Sequence, residues 1–119
     1  MIKVCSLFSG SSGNCIFVSY NGTSILIDAG VSGKRIEKAL EGIGESFENI
    51  KGIFITHEHN DHISGAGILS RRYKVPIYAN AVTWNAMRPF LGKLSPEYTR
   101  QIELEESLLL GDIGIKSFP

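Results

Sequence analysis

All three histidines of this 119-residue chain lie in one stretch, Thr56-His57-Glu58-His59-Asn60-Asp61-His62. The run just before it, Gly52-Ile53-Phe54-Ile55-Thr56, is short and continuously apolar, and reads as a strand buried on both faces. In extended backbone alternate side chains share a side, so His57 and His59 can present two imidazoles to one metal ion. Asp61 and His62 stand where the chain turns into a helix, which aims a carboxylate and a third imidazole at a second ion. Imidazole and carboxylate suit zinc, and also iron or manganese. A close pair of such ions would acidify a bridging water and clamp the attacking and leaving oxygens of a phosphodiester. A histidine tract can equally be a solvated loop. Here, however, every imidazole of the chain and two carboxylates follow directly on a buried strand.

Such a cluster needs a scaffold, and the flanking sequence supplies one. Ile2 to Phe8 reads as a strand, followed by the small-residue run Ser9-Gly10-Ser11-Ser12-Gly13. Cys15 to Val18 is a second strand ending at Asn21-Gly22, a dipeptide that favours a two-residue hairpin. Ser24 to Asp28 is the third, stopped by Ala29-Gly30. Ser32 can cap a helix that carries Ile36, Ala39, Leu40 and Ile43 on one face. After the histidines, the pattern predicts a helix from Ile63 to Tyr73 despite Gly65 and Gly67. A strand over Pro76 to Ala79 and a helix over Val82 to Leu91, interrupted by Pro89, come next. Strands over Gln101 to Leu104, Ser107 to Leu110 and Ile113 to Phe118 close an α/β (α+β) chain.

Composition narrows the class further. With 43% hydrophobic and 20% charged residues, the chain is composed like an ordinary soluble globular protein, and its length allows one domain. No stretch approaches the ~20 apolar residues of a membrane span. Polar residues interrupt Met1 to Ser6 too early for a signal peptide's apolar region. Two cysteines in a chain of this size read as reduced thiols, so a cytoplasmic protein is expected. Twelve basic residues balance twelve acidic ones, which removes any bulk electrostatic case for nucleic acid or anionic membrane. Locally, Arg71, Arg72, Lys74, Arg88, Lys93 and Arg100 face only Glu97, a basic segment able to hold a phosphate backbone. The same segment also reads as a solvated helix surface balanced by Glu103, Glu105 and Glu106. Ser11, Ser12 and Asn14 offer hydroxyls, an amide and exposed backbone N–H groups to a phosphate, although turns favour these residues anyway. Tyr78 and Trp84 read as core.

The run His57-Glu58-His59-Asn60-Asp61-His62 resembles the H-x-H-x-D-H signature of metallo-β-lactamase-fold hydrolases. Asp28, in Leu26-Ile27-Asp28-Ala29-Gly30, is similar to their upstream aspartate motif. The Leu7 to Cys15 run resembles the YycJ/WalJ-type subgroup, metal-dependent exonuclease-like enzymes of bacteria. This resemblance implies that His57 and His59 bind one ion and that Asp61 and His62 bind the other, with Asp61 also handling a proton. It implies that Asp28 accepts hydrogen bonds that orient the metal loop. Read alone, Asp28 could simply cap backbone amides at a strand end. Glu58 and Asn60 fall at variable positions of the signature and take no ligand role.

The resemblance further implies a four-layer αβ/βα sandwich, of which residues 1–119 supply the N-terminal half. The family draws another His, a bridging Asp and a final His from the second half. This chain has no histidine after His62, and its only later aspartate, Asp112, sits in a Gly-Asp turn that suits a hairpin. The last strand runs straight into Pro119. The expectation is therefore a truncated domain, a weak metal binder and poor catalyst alone. Its bare inner sheet face should be covered by a missing C-terminal half or, in a homodimer, by a second copy. The activity implied for the complete protein is dinuclear metal-dependent hydrolysis of DNA phosphodiesters, 5′-to-3′, through metal-bound hydroxide. The alternatives are hydrolysis of a thioester, lactone or β-lactam, or a non-catalytic partner domain. A cytoplasmic setting disfavours the β-lactam.

Overall fold

Asn21 and Gly22 adopt left-handed backbone, with φ of 49° and 80°, and so fold the chain back on itself as their residue types predict. In the computed structural model, which describes residues 2–103 and 106–116, this turn joins two strands of an antiparallel meander. The meander comprises β1 (Ile2–Phe8), β2 (Cys15–Tyr20) and β3 (Thr23–Ile27). Helix α1 (Gly33–Gly42) then carries the chain across to β4 (Ile50–Phe54), parallel to β3. The Ser32 hydroxyl accepts a hydrogen bond from the Arg35 N–H at 3.3 Å, and Ile36 and Leu40 are fully buried. Burying each of those side chains stabilises the fold by about 1.5–3 kcal/mol relative to exposure.

Two helices, α2 (Asn60–Ile63) and α3 (Ala66–Tyr73), lead to β5 (Ile77–Ala79). The single helix expected from Ile63 to Tyr73 is thus broken. Its break is tertiary in origin: the Gly65 N–H donates to the Ala29 carbonyl at 2.8 Å, and the Ser64 hydroxyl to the Gly30 carbonyl at 2.7 Å. Helix α4 (Ala81–Met87), capped by Asn80, gives way to a 3₁₀ turn over Arg88–Phe90, where Pro89 cannot donate an N–H. Strand β6 (Thr99–Gln101) begins earlier than expected because Thr99, Arg100 and Gln101 pair in register with Ile77, Tyr78 and Ala79. Leu104, at the end of that expected strand, lies outside the described residues. So does Phe118, at the end of the last one.

The six strands stand side by side in chain order, with β3 to β6 parallel. The helices cover one face over a core that includes Phe17, Leu26, Ile53, Leu69, Ile77 and Met87. On the opposite face Ile25, Phe54, Tyr78 and Ile102 form a second cluster, with the Phe54 and Tyr78 rings stacked at 4.5 Å. Ile53 and Phe54 of β4 therefore enter different cores, as a strand buried on both faces must.

The inner face is not bare. Strands β7 (Ser107–Leu110) and β8 (Ile113–Lys116) form a separate hairpin whose Leu108, Leu110, Ile113 and Ile115 pack against the second cluster. Asp112 lies in its turn and accepts a hydrogen bond from the Asn21 amide at 2.9 Å, which ties the two hairpin turns together. Between hairpin and sheet a cavity of about 520 Å³ remains, lined by Val18, Ile27, Phe54 and Ile115 among others.

Candidate metal centre

Open sheets of this type place ligands beyond the C-terminal ends of their parallel strands. Here β3 and β4 lie parallel and adjacent, so Asp28 and the histidine loop emerge side by side. Asp28 has φ of 65°, a left-handed backbone that is uncommon outside glycine. Its N–H donates to the Phe54 carbonyl at 2.7 Å. Its carboxylate sits beneath the histidine loop: Oδ1 accepts from the Thr56 N–H at 2.8 Å and Oδ2 from the Thr56 hydroxyl at 2.6 Å. His62 Nδ1 is also 2.7 Å from Oδ2.

A carboxylate offers only acceptors, so Nδ1 of His62 is the nitrogen that donates to it, and Nε2 is the one turned toward a ligand. That Nε2 lies 3.6 Å from Asp61 Oδ2. The gap is too long for a hydrogen bond. It is close to the ~3.4 Å that separates two donors on a tetrahedral ion with bonds near 2.1 Å. The Thr56 hydroxyl stands 3.0 Å from Nδ1 of His57 and 3.4 Å from Nδ1 of His62, so one threonine links Asp28 to two imidazoles.

Asp61 is fixed from the other side. The Asn14 side-chain amide donates to its Oδ2 at 3.2 Å and to its carbonyl at 3.1 Å, while the Asn14 N–H donates to that carbonyl at 2.8 Å. The Gly30 N–H in turn donates to the Asn14 carbonyl at 2.8 Å. A Cβ on Gly30 would stand 1.8 Å from the Asp61 carbonyl oxygen, so only glycine allows this approach. The loops after β1, β3 and β4 are thus laced into one unit. Asn14, one of the three residues expected to hold phosphate, has its amide engaged on Asp61. Ser11 and Ser12 are exposed on the turn just before it.

His57 and His59 complete the cluster on its open side. Their ring centres lie 6.2 Å apart, and His57 is 4.8 Å from His62. His59 is 71% exposed and His62 only 17%. Among the described residues, no three His, Cys, Asp or Glu donors close around a single point. The four side chains instead form an open rim of imidazole nitrogens and one carboxylate, a donor set that suits divalent ions. Sequence reasoning passed over Thr56 and the structural use of Asn14. Thr56 adjoins the motif directly, and its hydroxyl was the available signal.

The superfamily model described as "Metallo-beta-lactamase superfamily" matches residues 9–117. The chain is 42% identical over 118 residues to exodeoxyribonuclease WalJ of Streptococcus pneumoniae serotype 2, covering 98% of this chain and 44% of that protein. Exodeoxyribonuclease YycJ of Bacillus anthracis is 39% identical over 112 residues, covering 94% and 42% respectively. The chain spans about half the length of the curated relatives it matches. Among solved structures, a Cronobacter sakazakii metallo-β-lactamase with a HARLDQ motif superposes with a TM-score of 0.78 at 20% identity. That superposition covers 93% of this chain and 49% of the other, and is a likeness of fold. Strand order, the site at the ends of β3 and β4, and these matches agree: the chain belongs to the metallo-β-lactamase superfamily.

Proposed function

We propose that residues 1–119 form the N-terminal half of a metallo-β-lactamase-fold domain, and that the complete protein is a dinuclear metal-dependent nuclease. Its substrate in this reading is DNA, degraded 5′-to-3′ in the cytoplasm. The observation that carries the reading is the pairing of His62 Nε2 with Asp61 Oδ2 at 3.6 Å, on a loop anchored by Asp28. The exodeoxyribonuclease names of the relatives support the choice of polymer.

In this reading His57 and His59 hold one divalent ion, and Asp61 and His62 the other, as zinc or manganese, with iron as a further candidate. When bound, the ions supply an acidified water and positive charge for the phosphodiester oxygens. The protein's own contribution is placement. Asp28 fixes the His62 tautomer, Asn14 fixes the Asp61 carboxylate, and Asp61 is sited to accept a proton. Ser11 and Ser12, on the adjoining exposed turn, would donate hydroxyls to a phosphate. The second half of the domain would supply the remaining ligands and complete the cover over the inner sheet face.

The test uses the full-length protein on 5′-phosphorylated duplex DNA, with Mn²⁺ or Zn²⁺ and with or without chelator. Metal-dependent release of nucleotides from the 5′ end is expected, and His59→Ala should abolish it together with metal binding. Because His59 is so exposed, the fold should lose no more than about 0.5 kcal/mol. Absence of cleavage alongside turnover of a thioester or lactone would refute the nuclease assignment.

A further inference from the structure

The basic residues between Arg71 and Arg100 separate into two groups. Arg72 pairs with Glu37 at 2.6 Å, Arg88 lies over the Trp84 ring, and Arg100 donates to the Glu97 carbonyl. Arg71, Lys74 and Lys93 instead line one open groove of about 700 Å³, walled by Ser95 and Tyr98, with Glu97 its one acidic side chain. The groove lies where α3 ends and β6 begins, at the opposite end of the strands from the histidine loop. The pairings of Ile53 with Ile77 and of Ile77 with Thr99 set the two sites roughly 20 Å apart at ordinary strand spacing.

This groove is built rather than incidental. Nη1 of Arg71 donates to the Leu91 carbonyl at 2.6 Å and to the Lys93 carbonyl at 3.3 Å, which holds the segment carrying Lys93 against α3. Lys74 caps α3 in left-handed backbone, φ 56° and ψ 48°, a position where glycine is the unstrained choice. The negative end of a helix explains a cation on α3 itself. It does not explain Lys93, which comes from a separate segment. Neither lysine ammonium has a hydrogen bond or ion pair among the described residues. Two of the acids that balance the count in sequence are engaged elsewhere: Glu103 lies at the far end of β6, accepting from Ala81 N–H and Gln101, and Glu106 accepts from the Glu103 N–H.

We propose that this groove binds the phosphate backbone of DNA, without reading its sequence, at a distance from the histidine loop. The choice of DNA as the polyanion rests on the nuclease reading above; the groove itself does not. Three cations, each displacing a counterion, account for a salt slope of about −2.7, or about 40-fold weaker binding between roughly 50 and 200 mM salt.

The experiment is fluorescence anisotropy of a labelled duplex of about two helical turns, in chelator so that binding is read without cleavage. The double variant Lys74→Glu/Lys93→Glu should weaken binding at least about tenfold at low salt and reduce the slope by about 1.8. Lys93→Gln alone, a milder change at an exposed position, should reduce the slope by about 0.9. Lys38→Gln, at an exposed position of α1 outside the groove, should leave the anisotropy curve unchanged. The chelator removes divalent ions, so failure of the metal reading would not disturb this measurement. Wild-type affinity and slope in both lysine variants would overturn the proposal. So would displacement of the duplex by polyglutamate as effectively as by unlabelled DNA, which would show a groove for acidic peptide.

Discussion

The side chains of His62 and Asp28, thirty-four residues apart in sequence, meet at 2.7 Å through Nδ1 and Oδ2. The contact decides which nitrogen of His62 is left for a ligand. Asp28→Asn keeps a residue tolerant of left-handed backbone but places an amide where a carboxylate accepted the proton. Zinc affinity of the full-length protein, measured by titration calorimetry, should fall about 10–100-fold with the fold intact. Wild-type affinity in that variant would remove Asp28 from the site. Asp28→Ala should in addition cost about 3 kcal/mol in urea unfolding, since Thr56 loses its acceptors.

Asn14 places its amide against Asp61, and this makes it a positioning residue with a distinctive signature. Asn14→Ala should cost about 1 kcal/mol of stability and lower turnover without moving the pH profile. Asn14→Asp sets a second carboxylate beside Asp61. One of the two should then hold its proton to higher pH, and the acid limb of the rate profile should shift upward. Identical pH profiles for wild type and Asn14→Asp would count against the contact.

The two glycines Gly30 and Gly42 give a paired test of packing. At Gly30 a methyl group would meet the backbone of Asp61 and Asn14 within 2.7 Å, so Gly30→Ala should cost about 3 kcal/mol or more and depress metal binding. At Gly42, in the last turn of α1, a methyl group meets nothing within 4 Å. Gly42→Ala should be neutral or stabilising by up to about 1 kcal/mol. Thermal midpoints of the two variants should therefore move in opposite directions, or only the first should move.

Cys15 is fully buried, and that burial, aided by the negative charge of Asp28, pushes its thiol up to about 12 from 9.0. It should resist a thiol reagent at pH 8 in the native state and react on unfolding. The folded state holds the proton more tightly than the unfolded state, so stability is full below about pH 9 and declines as pH rises toward 12. The slope approaches about 1.4 kcal/mol per pH unit. Urea midpoints at pH 8 and pH 10 should separate in wild type and converge in Cys15→Ala.

Much of this arrangement is legible in the residues because its causes are local. Asn21-Gly22 specifies its turn, Ser32 its helix start and Pro89 a helix end, whatever lies around them. The apolar run before His57 announces a strand with two covered faces, and Ile53 and Phe54 occupy both. What stays hidden depends on distant partners. Nothing near Gly65 shows that its N–H belongs to Ala29, so the helix break cannot be read locally. Nothing in the Ser9 to Asn14 run reveals that Asn14 turns to Asp61, forty-seven residues on. The cover over the inner face escapes for the same reason: Leu108 and Ile115 show their alternation, but not the sheet they close over.

The six strands of the main sheet stand in the order in which the chain presents them. No strand has to be inserted between two already paired, and each arriving strand finds its neighbour waiting as the current edge. A polypeptide leaving the ribosome can therefore extend this sheet one row at a time, with the histidine loop taking shape once β4 docks on β3. The hairpin follows β6 and shields apolar surface that would otherwise remain wet during synthesis. Direction of translation and direction of sheet growth coincide, so a nascent chain meets few opportunities for mispairing.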